Sequence, residues 1–286
     1  MWINLLPFSV ALALARPIGF FLFYFLRRSR RTALKNLTAV YGSEKSVREI
    51  RKIAKESFVH LAEFGVEWLR MPKVSRNPAR YLAILGVEKI HDALKQGKGA
   101  MLLVSHVGNW EIMALIAGTL IARPVGAAIY ALARPLKNVY LYEYSLRLRG
   151  LTGLQSIHKV GAVSETFERL KENAIVCLLV DQRVGEGGVE VDFFGEEALT
   201  TSLPAVAALR YGTPVFFVFV PPPRTGEPRF TMHVEGPFSI ESTGDVKRDI
   251  QVNTQTFNNR VEAEIRKDPA RWLWMHNRWR ERHGAK

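Results

Sequence analysis

The sequence lacks the motifs that define several large enzyme classes. It has no phosphate-binding P-loop, no dinucleotide-type glycine pattern, no serine nucleophile elbow and no His-Glu-x-x-His motif. Its histidines other than His106 are scattered and show no metal-ligand spacing. Nucleotide, nicotinamide, serine-hydrolase and zinc-protease chemistry are therefore not indicated. We expect neither a cofactor nor a metal.

Cysteine is nearly absent as well. The 286 residues contain one cysteine, which excludes an intramolecular disulfide framework and fits a reducing compartment. Cys177 lies in the apolar run 174–180, so we expect a core strand residue and not a thiolate nucleophile.

Acidic residues are scarce relative to basic ones. The chain has 27 Asp and Glu against 40 Lys and Arg, a net charge of +13. Such an excess calls for an anionic partner, which could be nucleic acid, an anionic membrane or an acidic carrier.

The long apolar run is at the N-terminus, over residues 2–26. It is long enough to span a bilayer, but Arg16 and Pro17 near its middle argue against a simple spanning helix. A kinked segment and a helix lying in the membrane interface both stay open. A cleaved signal peptide is disfavoured, because basic residues follow the run instead of preceding it. These residues are Arg27, Arg28, Arg30, Arg31 and Lys35, and they mark the cytoplasmic side.

Two units are predicted along the chain. Residues 1–35 form a membrane-anchoring segment with its basic cluster, and residues 36–286 form a single domain. In that domain, helical patterns alternate with short apolar runs, which predicts an α/β fold with a mixed, mostly parallel central sheet and helices on both faces. The expected strands are 100–105, 125–132, 174–181 and 214–220, with an antiparallel candidate at 230–234. The expected helices are 46–71 (broken by Pro72), 87–96, 109–120, 138–149, 161–172, 201–211 and 249–267.

The most informative stretch is residues 103–111, in which an apolar strand ends at His106 and a helix begins near Glu111. The turn between them is expected to bring the Glu111 carboxylate onto one imidazole nitrogen, which leaves the other nitrogen as a base for a hydroxyl. The N–H groups of Gly108, Asn109 and Trp110 near the helix start are candidates to bind an oxyanion. A His-x4-acid pattern by itself also occurs by chance.

Polar residues follow two other predicted strands. Arg134 follows strand 125–132 and could hold a phosphate, although a surface arginine is as good an interpretation. Asp181 and Gln182 follow strand 174–181, where open α/β sheets place their sites.

The C-terminal residues 271–280 interleave three tryptophans with arginines. This composition is typical of a membrane-interface surface or of nucleic-acid binding by stacking, and the apolar N-terminus favours the former.

These motifs together resemble the bacterial lipid A biosynthesis acyltransferases, the late lauroyl and myristoyl transferases of the lysophospholipid acyltransferase superfamily. The resemblance covers nearly the whole chain, and the related enzymes that acylate phosphatidylinositol mannosides share it. The chain lacks the Pro-Glu-Gly type third motif of the glycerol-phosphate branch, so glycerol 3-phosphate is not the expected acceptor. The ordered motifs are His106 to Glu111, Arg134-Pro135, Asp181-Gln182, Phe193-Phe194-Gly195, Thr200-Thr201 and Trp274-Met275-His276.

The resemblance implies a glycerol-phosphate acyltransferase-like fold and assigns roles. His106 matches the general base and Glu111 the acid that orients it. Arg134 and Asp181 match conserved residues of the second and third family blocks. We expect these two residues, with Gln182 and Asn109, to bind substrate.

The expected function is therefore transfer of an acyl chain from an acyl carrier protein or coenzyme A thioester to a glycolipid hydroxyl, without an acyl-enzyme. A lipid A precursor is the leading acceptor, at the cytoplasmic face of the bacterial inner membrane. A phosphatidylinositol mannoside or a lysophospholipid is the alternative acceptor. A basic peripheral membrane or nucleic-acid-binding protein without catalysis is the alternative from another class.

Overall fold

The structure is a computed structural model that describes residues 2–132, 138–157, 161–185, 187–222 and 228–279. Its α-helices are α1 (Phe8–Phe25), α2 (Arg27–Tyr41), α3 (Val47–Arg76), α4 (Pro78–Tyr81), α5 (Val87–Leu94), α6 (Trp110–Ile116), α7 (Val139–Gly150), α8 (Ala162–Lys171), α9 (Leu203–Tyr211) and α10 (Val246–Lys267). Its strands are β1 (Leu82–Leu85), β2 (Ala100–Val104), β3 (Ile129–Leu132), β4 (Leu154–Ile157), β5 (Ile175–Leu179), β6 (Gly188–Phe193), β7 (Glu196–Thr201), β8 (Val215–Phe219) and β9 (Phe230–Glu235).

Seven of these strands form one central sheet in the order β1-β9-β8-β2-β5-β3-β4. Strands β8, β2, β5, β3 and β4 run parallel to one another. Strand β9 is antiparallel to β8 and parallel to β1. The predicted mixed, mostly parallel sheet is confirmed, and so is the antiparallel strand near 230–234.

The sheet is covered on both faces because successive side chains of its central strands enter different cores. In β2, Met101 and Leu103 belong to one buried cluster, while Leu102 and Val104 belong to the other. Helices α2, α8, α9 and α10 contribute to the first cluster, and helices α5, α6 and α7 to the second. A strand buried on both sides is apolar at every position, which is why β2 was recognisable in the sequence.

Helix α3 differs from its prediction at one end only. It begins as expected, with Ser46 and Glu49 forming a capping box. It does not break at Pro72 but continues to Arg76. Pro72 lies near the C-terminal end, so the missing N–H removes a hydrogen bond from the last turns only. Strands β1 and β4 and the antiparallel hairpin β6–β7 were not predicted, because two of these strands have only four residues and the hairpin is rich in polar residues.

Helix α1 packs along α3 through one narrow face. Its buried residues Ala11, Ala15, Gly19 and Phe23 recur every four positions. A Cβ at Gly19 would lie 2.3 Å from the Cα of Val59, so only glycine permits this approach.

Most of the remaining α1 surface is apolar and exposed. By length and composition the helix could cross a membrane, with a mean hydropathy of 1.7 and 22% of its residues buried. Arg16 contacts Glu56 of α3 at 3.4 Å. The exposed large side chains are Val10, Leu14, Ile18, Phe21, Tyr24 and Phe25.

Candidate active site

The turn that carries His106 connects β2 to α6. Asn109 caps the helix, since its side-chain oxygen accepts a hydrogen bond from the N–H of Ile112 at 3.0 Å. Gly108 has a φ of 72°, which L-residues with a side chain rarely adopt. A Cβ there would also meet the guanidinium of Arg271 at 3.0 Å. These constraints place His106 beyond the carboxyl end of a buried strand, as predicted.

His106 is held at two points by the carboxylate of Asp181. The ring Nδ1–H donates to Oδ1 at 2.7 Å, and the backbone N–H donates to Oδ2 at 2.6 Å. Asp181 follows β5, which is the parallel neighbour of β2, so both residues lie at the same edge of the sheet. A carboxylate on Nδ1 fixes the neutral imidazole in the tautomer whose Nε2 carries a lone pair. That is the state a general base requires.

Asp181 is fully buried and still keeps its charge. Burial raises the pKa of this carboxyl, but the charge of His106 and the hydrogen bonds from His106 and Trp272 offset burial, so the net pKa is lowered. The Trp272 indole N–H donates to Oδ2 at 2.8 Å. Asp181 therefore remains an acceptor for all three donors at neutral pH.

The free face of the imidazole meets an amide and an aromatic ring. The side-chain amide N–H of Gln182 donates to Nε2 of His106 at 3.1 Å. The Trp110 ring lies edge-on to the imidazole, with 4.8 Å between the ring centroids, and Phe64 stacks on Trp110 at 4.1 Å. A hydroxyl that gives its proton to His106 must therefore displace Gln182, one of the predicted substrate-binding residues.

Glu111 does not lie on His106, which corrects the pairing predicted from spacing. Its carboxylate binds Arg149 of α7, with Nη2 to Oε1 at 2.6 Å and Nε to Oε2 at 3.3 Å. A neutral imidazole offers one N–H, and Asp181 already accepts it. Glu111 instead pairs with a full positive charge in a bidentate geometry.

Three further predicted roles concern groups that already have protein partners. The amide of Asn109 donates to Glu67 Oε2 at 2.9 Å while its oxygen caps α6, so its side chain supports the turn. Asp181 is likewise engaged by protein donors, so the contact that the structure gives it is with His106 and Trp272. The N–H of Gly108 donates to the carbonyl of Arg271 at 3.1 Å and is not free for an oxyanion. The oxyanion roles of Asn109 and Trp110 stay predictions, and Arg134 lies outside the described residues.

Three large side chains of the C-terminal Trp/Arg segment, those of Trp272, Trp274 and Arg278, are buried, which corrects the prediction of an interface surface for these residues. Trp272 and Trp274 are 2% and 0% exposed, and Arg278 is 0% exposed. Arg278 donates to the carbonyl of Leu199 at 2.9 Å and to the hydroxyl of Thr200, both in the hairpin β6–β7. Burial lowers the pKa of Arg278 to about 10, with Asp181 acting in the opposite direction.

Sequence reasoning missed three residues that complete the site: Glu67, Arg149 and Trp272. Glu67 was recoverable, because it falls on the buried stripe of α3 beside Val66 and Arg70. Burial raises the pKa of this carboxyl despite Asn109 and Arg229. Arg149 and Trp272 carry no local signal, since their partners come from other elements of the fold.

A narrow apolar cavity of about 50 Å³ begins beside the site. Trp110, Glu111 and Arg149 form part of its wall, and it continues between α6 and the sheet. The remaining lining is almost entirely apolar. These side chains include Met113, Ala117, Leu154, Cys177, Val218 and Met232.

Proteins of similar sequence indicate the reaction that such a site serves. A phosphatidylinositol mannoside acyltransferase of Mycolicibacterium smegmatis is 28% identical over 232 residues, which cover 79% of this chain and 72% of that protein. Another, of Mycobacterium tuberculosis, is 30% identical over 229 residues, covering 77% and 68%. A lipid A biosynthesis lauroyltransferase of Escherichia coli is 24% identical over 282 residues, covering 97% and 87%. The protein is thus an O-acyltransferase.

Its family follows from the whole length of the chain. Residues 1–281 match the bacterial lipid A biosynthesis acyltransferase family, so the chain belongs to that family. Among solved structures, a 1-acyl-sn-glycerophosphate acyltransferase of Thermotoga maritima is 14% identical with a TM-score of 0.36, covering 90% of this chain and 97% of that one.

Proposed function

We propose that the protein transfers a fatty acyl chain from a thioester to a sugar hydroxyl of an anionic membrane glycolipid, with His106 as general base. The observation that carries this proposal is the His106–Asp181 pair, which leaves Nε2 as a hydrogen-bond acceptor whose present donor is the amide of Gln182. Family membership supplies the reaction class.

The reaction can proceed in two steps, in which Nε2 of His106 first accepts a proton and then returns it. The acceptor hydroxyl displaces Gln182, gives its proton to Nε2, and its oxygen attacks the thioester carbonyl carbon. Asp181 stabilises the imidazolium that forms. When the tetrahedral intermediate collapses, the C–S bond breaks and the leaving thiolate takes the proton back from Nε2. The ester and a free thiol are the products, and no side chain carries the acyl group.

A lipid A precursor is the acceptor we favour. The family description and the lauroyltransferase relative, which aligns over 97% of this chain, support it. A phosphatidylinositol mannoside is the second candidate, favoured by the higher identity of the mycobacterial relatives. The donor is an acyl carrier protein or coenzyme A thioester, and either anion suits a protein of charge +13.

The apolar cavity is the proposed site of the donor acyl chain. Trp110 lines the cavity and also contacts the imidazole of His106, so a chain bound there would bring its thioester carbonyl close to His106. At about 50 Å³ the cavity is too small for a long chain in its present form. Met113 and Met232 line it, and methionine side chains change rotamer at low cost.

The proposed location is the cytoplasmic face of the inner membrane. Helix α1 presents an apolar face opposite α3, and the next helix, α2, begins with four arginines in five residues. An apolar helix face followed by a basic cluster is typical of a helix that lies in an anionic interface. The packing of α1 on α3 favours this arrangement over a free-standing span.

The test is transfer of labelled lauroyl groups by purified protein in detergent micelles. Lauroyl-acyl carrier protein and lauroyl-coenzyme A are each offered with a lipid A precursor or a phosphatidylinositol mannoside, and products are identified by mass. His106→Ala should lower the rate by a factor on the order of 10² or more. His91→Ala, which removes a histidine bound to the carbonyl of Ile121, is the matched control. Acyl transfer by His106→Ala at the wild-type rate, or an acyl adduct on the protein, contradicts the mechanism. Acylation of the phosphatidylinositol mannoside alone would identify the second candidate as the acceptor.

A further inference from the structure

The C-terminal segment, residues 269–279, contacts both the turn of His106 and the carboxylate of Asp181. The carbonyl of Arg271 accepts from the N–H of Gly108 at 3.1 Å. Val107 and Trp272 form an isolated antiparallel bridge. The indole N–H of Trp272 donates to Oδ2 of Asp181 at 2.8 Å. Trp272, 91 residues from Asp181 in sequence, thus contacts both the residue that follows His106 and the carboxylate that binds the imidazole.

The two oxygens of Asp181 are used unequally. Oδ2 accepts from the backbone N–H of His106 and from the Trp272 indole, while Oδ1 accepts from the imidazole. With two donors on Oδ2, rotation of the carboxylate about its Cβ–Cγ bond would break two hydrogen bonds at once. Oδ1 therefore stays directed at Nδ1 of His106.

We propose that Trp272 is a positioning residue for acyl transfer, because its indole N–H holds the Asp181 carboxylate in the orientation that keeps Nε2 of His106 unprotonated. This inference rests on the proposed general-base role of His106. It adds a residue that touches neither substrate nor the reacting atoms and acts through Asp181.

The aromatic surroundings of Trp272 separate its hydrogen bond from its packing. The ring lies 4.7 Å from Trp274 and 5.7 Å from Phe193, measured between centroids. A phenylalanine at position 272 keeps an aromatic ring among these neighbours and removes only the N–H donor and part of the ring volume. Trp274→Phe is the matched control, because Trp274 is equally buried but donates to the carbonyl of Pro269 and not to Asp181.

Loss of the indole donor should lower kcat and leave KM nearly unchanged. One hydrogen bond to a buried charge corresponds to about a tenfold to hundredfold change. The charged and titratable groups that face Asp181 are His106 and Arg278, and neither replaces the lost donor. In the Trp272→Phe variant the Asp181 carboxylate lacks this donor and binds a proton more readily. The acid limb of the pH–rate profile should therefore move to higher pH. A purely structural role would lower the amount of folded enzyme without moving this limb.

Two measurements decide the proposal. In a double-mutant cycle, Trp272→Phe should cost little further activity when Asp181 is already asparagine. Independently of activity, Asp181→Asn in 15N-tryptophan-labelled full-length protein should move one indole N–H resonance, which assignment through Trp272→Phe or, if that variant does not fold, Trp272→Tyr attributes to Trp272.

The outcomes separate the two proposals. An unmoved indole resonance, equal losses in Trp272→Phe and Trp274→Phe, or fully additive losses in the cycle overturn the role of Trp272. A moved resonance together with full transfer by His106→Ala supports the contact but overturns the general-base mechanism on which its function rests.

Discussion

Asp181→Asn is the perturbation that separates general-base catalysis from stability most sharply. The wild-type carboxylate accepts three hydrogen bonds: two from His106, at 2.6 and 2.7 Å, and one from Trp272 at 2.8 Å. Asparagine has one acceptor oxygen and one NH₂ group, so it cannot satisfy all three donors. Its NH₂ must face either the imidazole or the two donors at Oδ2.

The imidazole is the donor that can adapt. A backbone N–H and an indole N–H cannot become acceptors, whereas a neutral histidine can move its proton from Nδ1 to Nε2. The asparagine NH₂ should therefore face Nδ1, and the ring should change tautomer. The three hydrogen bonds of residue 181 are then restored, and the amide of Gln182 must turn its oxygen toward the new Nε2–H, at a modest total cost in stability of about 1–3 kcal/mol. The base is lost, however, because Nε2 now carries the proton.

The expected result is a large loss of activity in a folded protein. General-base catalysis contributes a factor of about 10²–10⁴, so transfer at saturating donor and acceptor should fall by about that factor. The assay is initial-rate acyl transfer, paired with thermal unfolding of the same samples. Asp249→Asn is the matched control, since Asp249 is a buried carboxylate that accepts from Thr243 and Gly244 away from the site. Activity of Asp181→Asn within about fivefold of wild type would refute the reasoning.

Four further outcomes are expected from the structure. Gly19→Leu should detach α1 from α3 and lower thermal stability, whereas Gly65→Ala, in α3 with open space around it, should leave stability equal or higher; equal melting temperatures for the two would contradict the packing. Glu111→Gln and Arg149→Met should each lower the rate of acyl transfer, and the double variant should lose little more activity than either, because the two residues form one ion pair. Additive losses of activity in a double-mutant cycle would contradict this. Burial raises the pKa of Cys177 to about 12, so Cys177→Ala should keep activity apart from a packing cost, and intact mass after incubation with donor alone should show no acyl adduct. Asp181 stabilises the fold only while it is ionised, since its pKa is lowered from 3.8; as pH falls below about 4, wild type should lose stability more steeply than Asp181→Asn, measured by denaturant unfolding at each pH.

The position of the site could be predicted from the sequence because it depends on strand ends. Strands β2 and β5 are apolar at nearly every position, and polar residues follow each of them. Parallel strands bring such residues to one edge, so His106 and Asp181 were both placed there.

The partner of His106 could not be predicted, because pairing depends on tertiary contacts. Spacing favoured Glu111, five residues away along the chain, but Asp181, 75 residues away, follows the adjacent strand β5 and takes the ring N–H. Composition likewise favoured an exposed C-terminal segment. Trp272, Trp274 and Arg278 are buried because the hairpin β6–β7 and α10 supply aromatic rings and hydrogen-bond acceptors, which no local pattern reveals.

The carboxylates of Glu111 and Asp181 serve different purposes because their partners differ. Glu111 is already paired with the full charge of the Arg149 guanidinium, so a proton on His106 adds little to its electrostatic stabilisation. The Glu111–Arg149 ion pair instead connects α6 to α7 at the wall of the apolar cavity. Asp181 faces a neutral imidazole, and its attraction to the ring grows when the ring becomes an imidazolium. Electrostatic stabilisation that increases as the reaction proceeds lowers the barrier, whereas stabilisation that stays constant does not. In the proposed mechanism, therefore, Asp181 acts on the chemical step, and Glu111 acts on the shape of the site in which that step occurs.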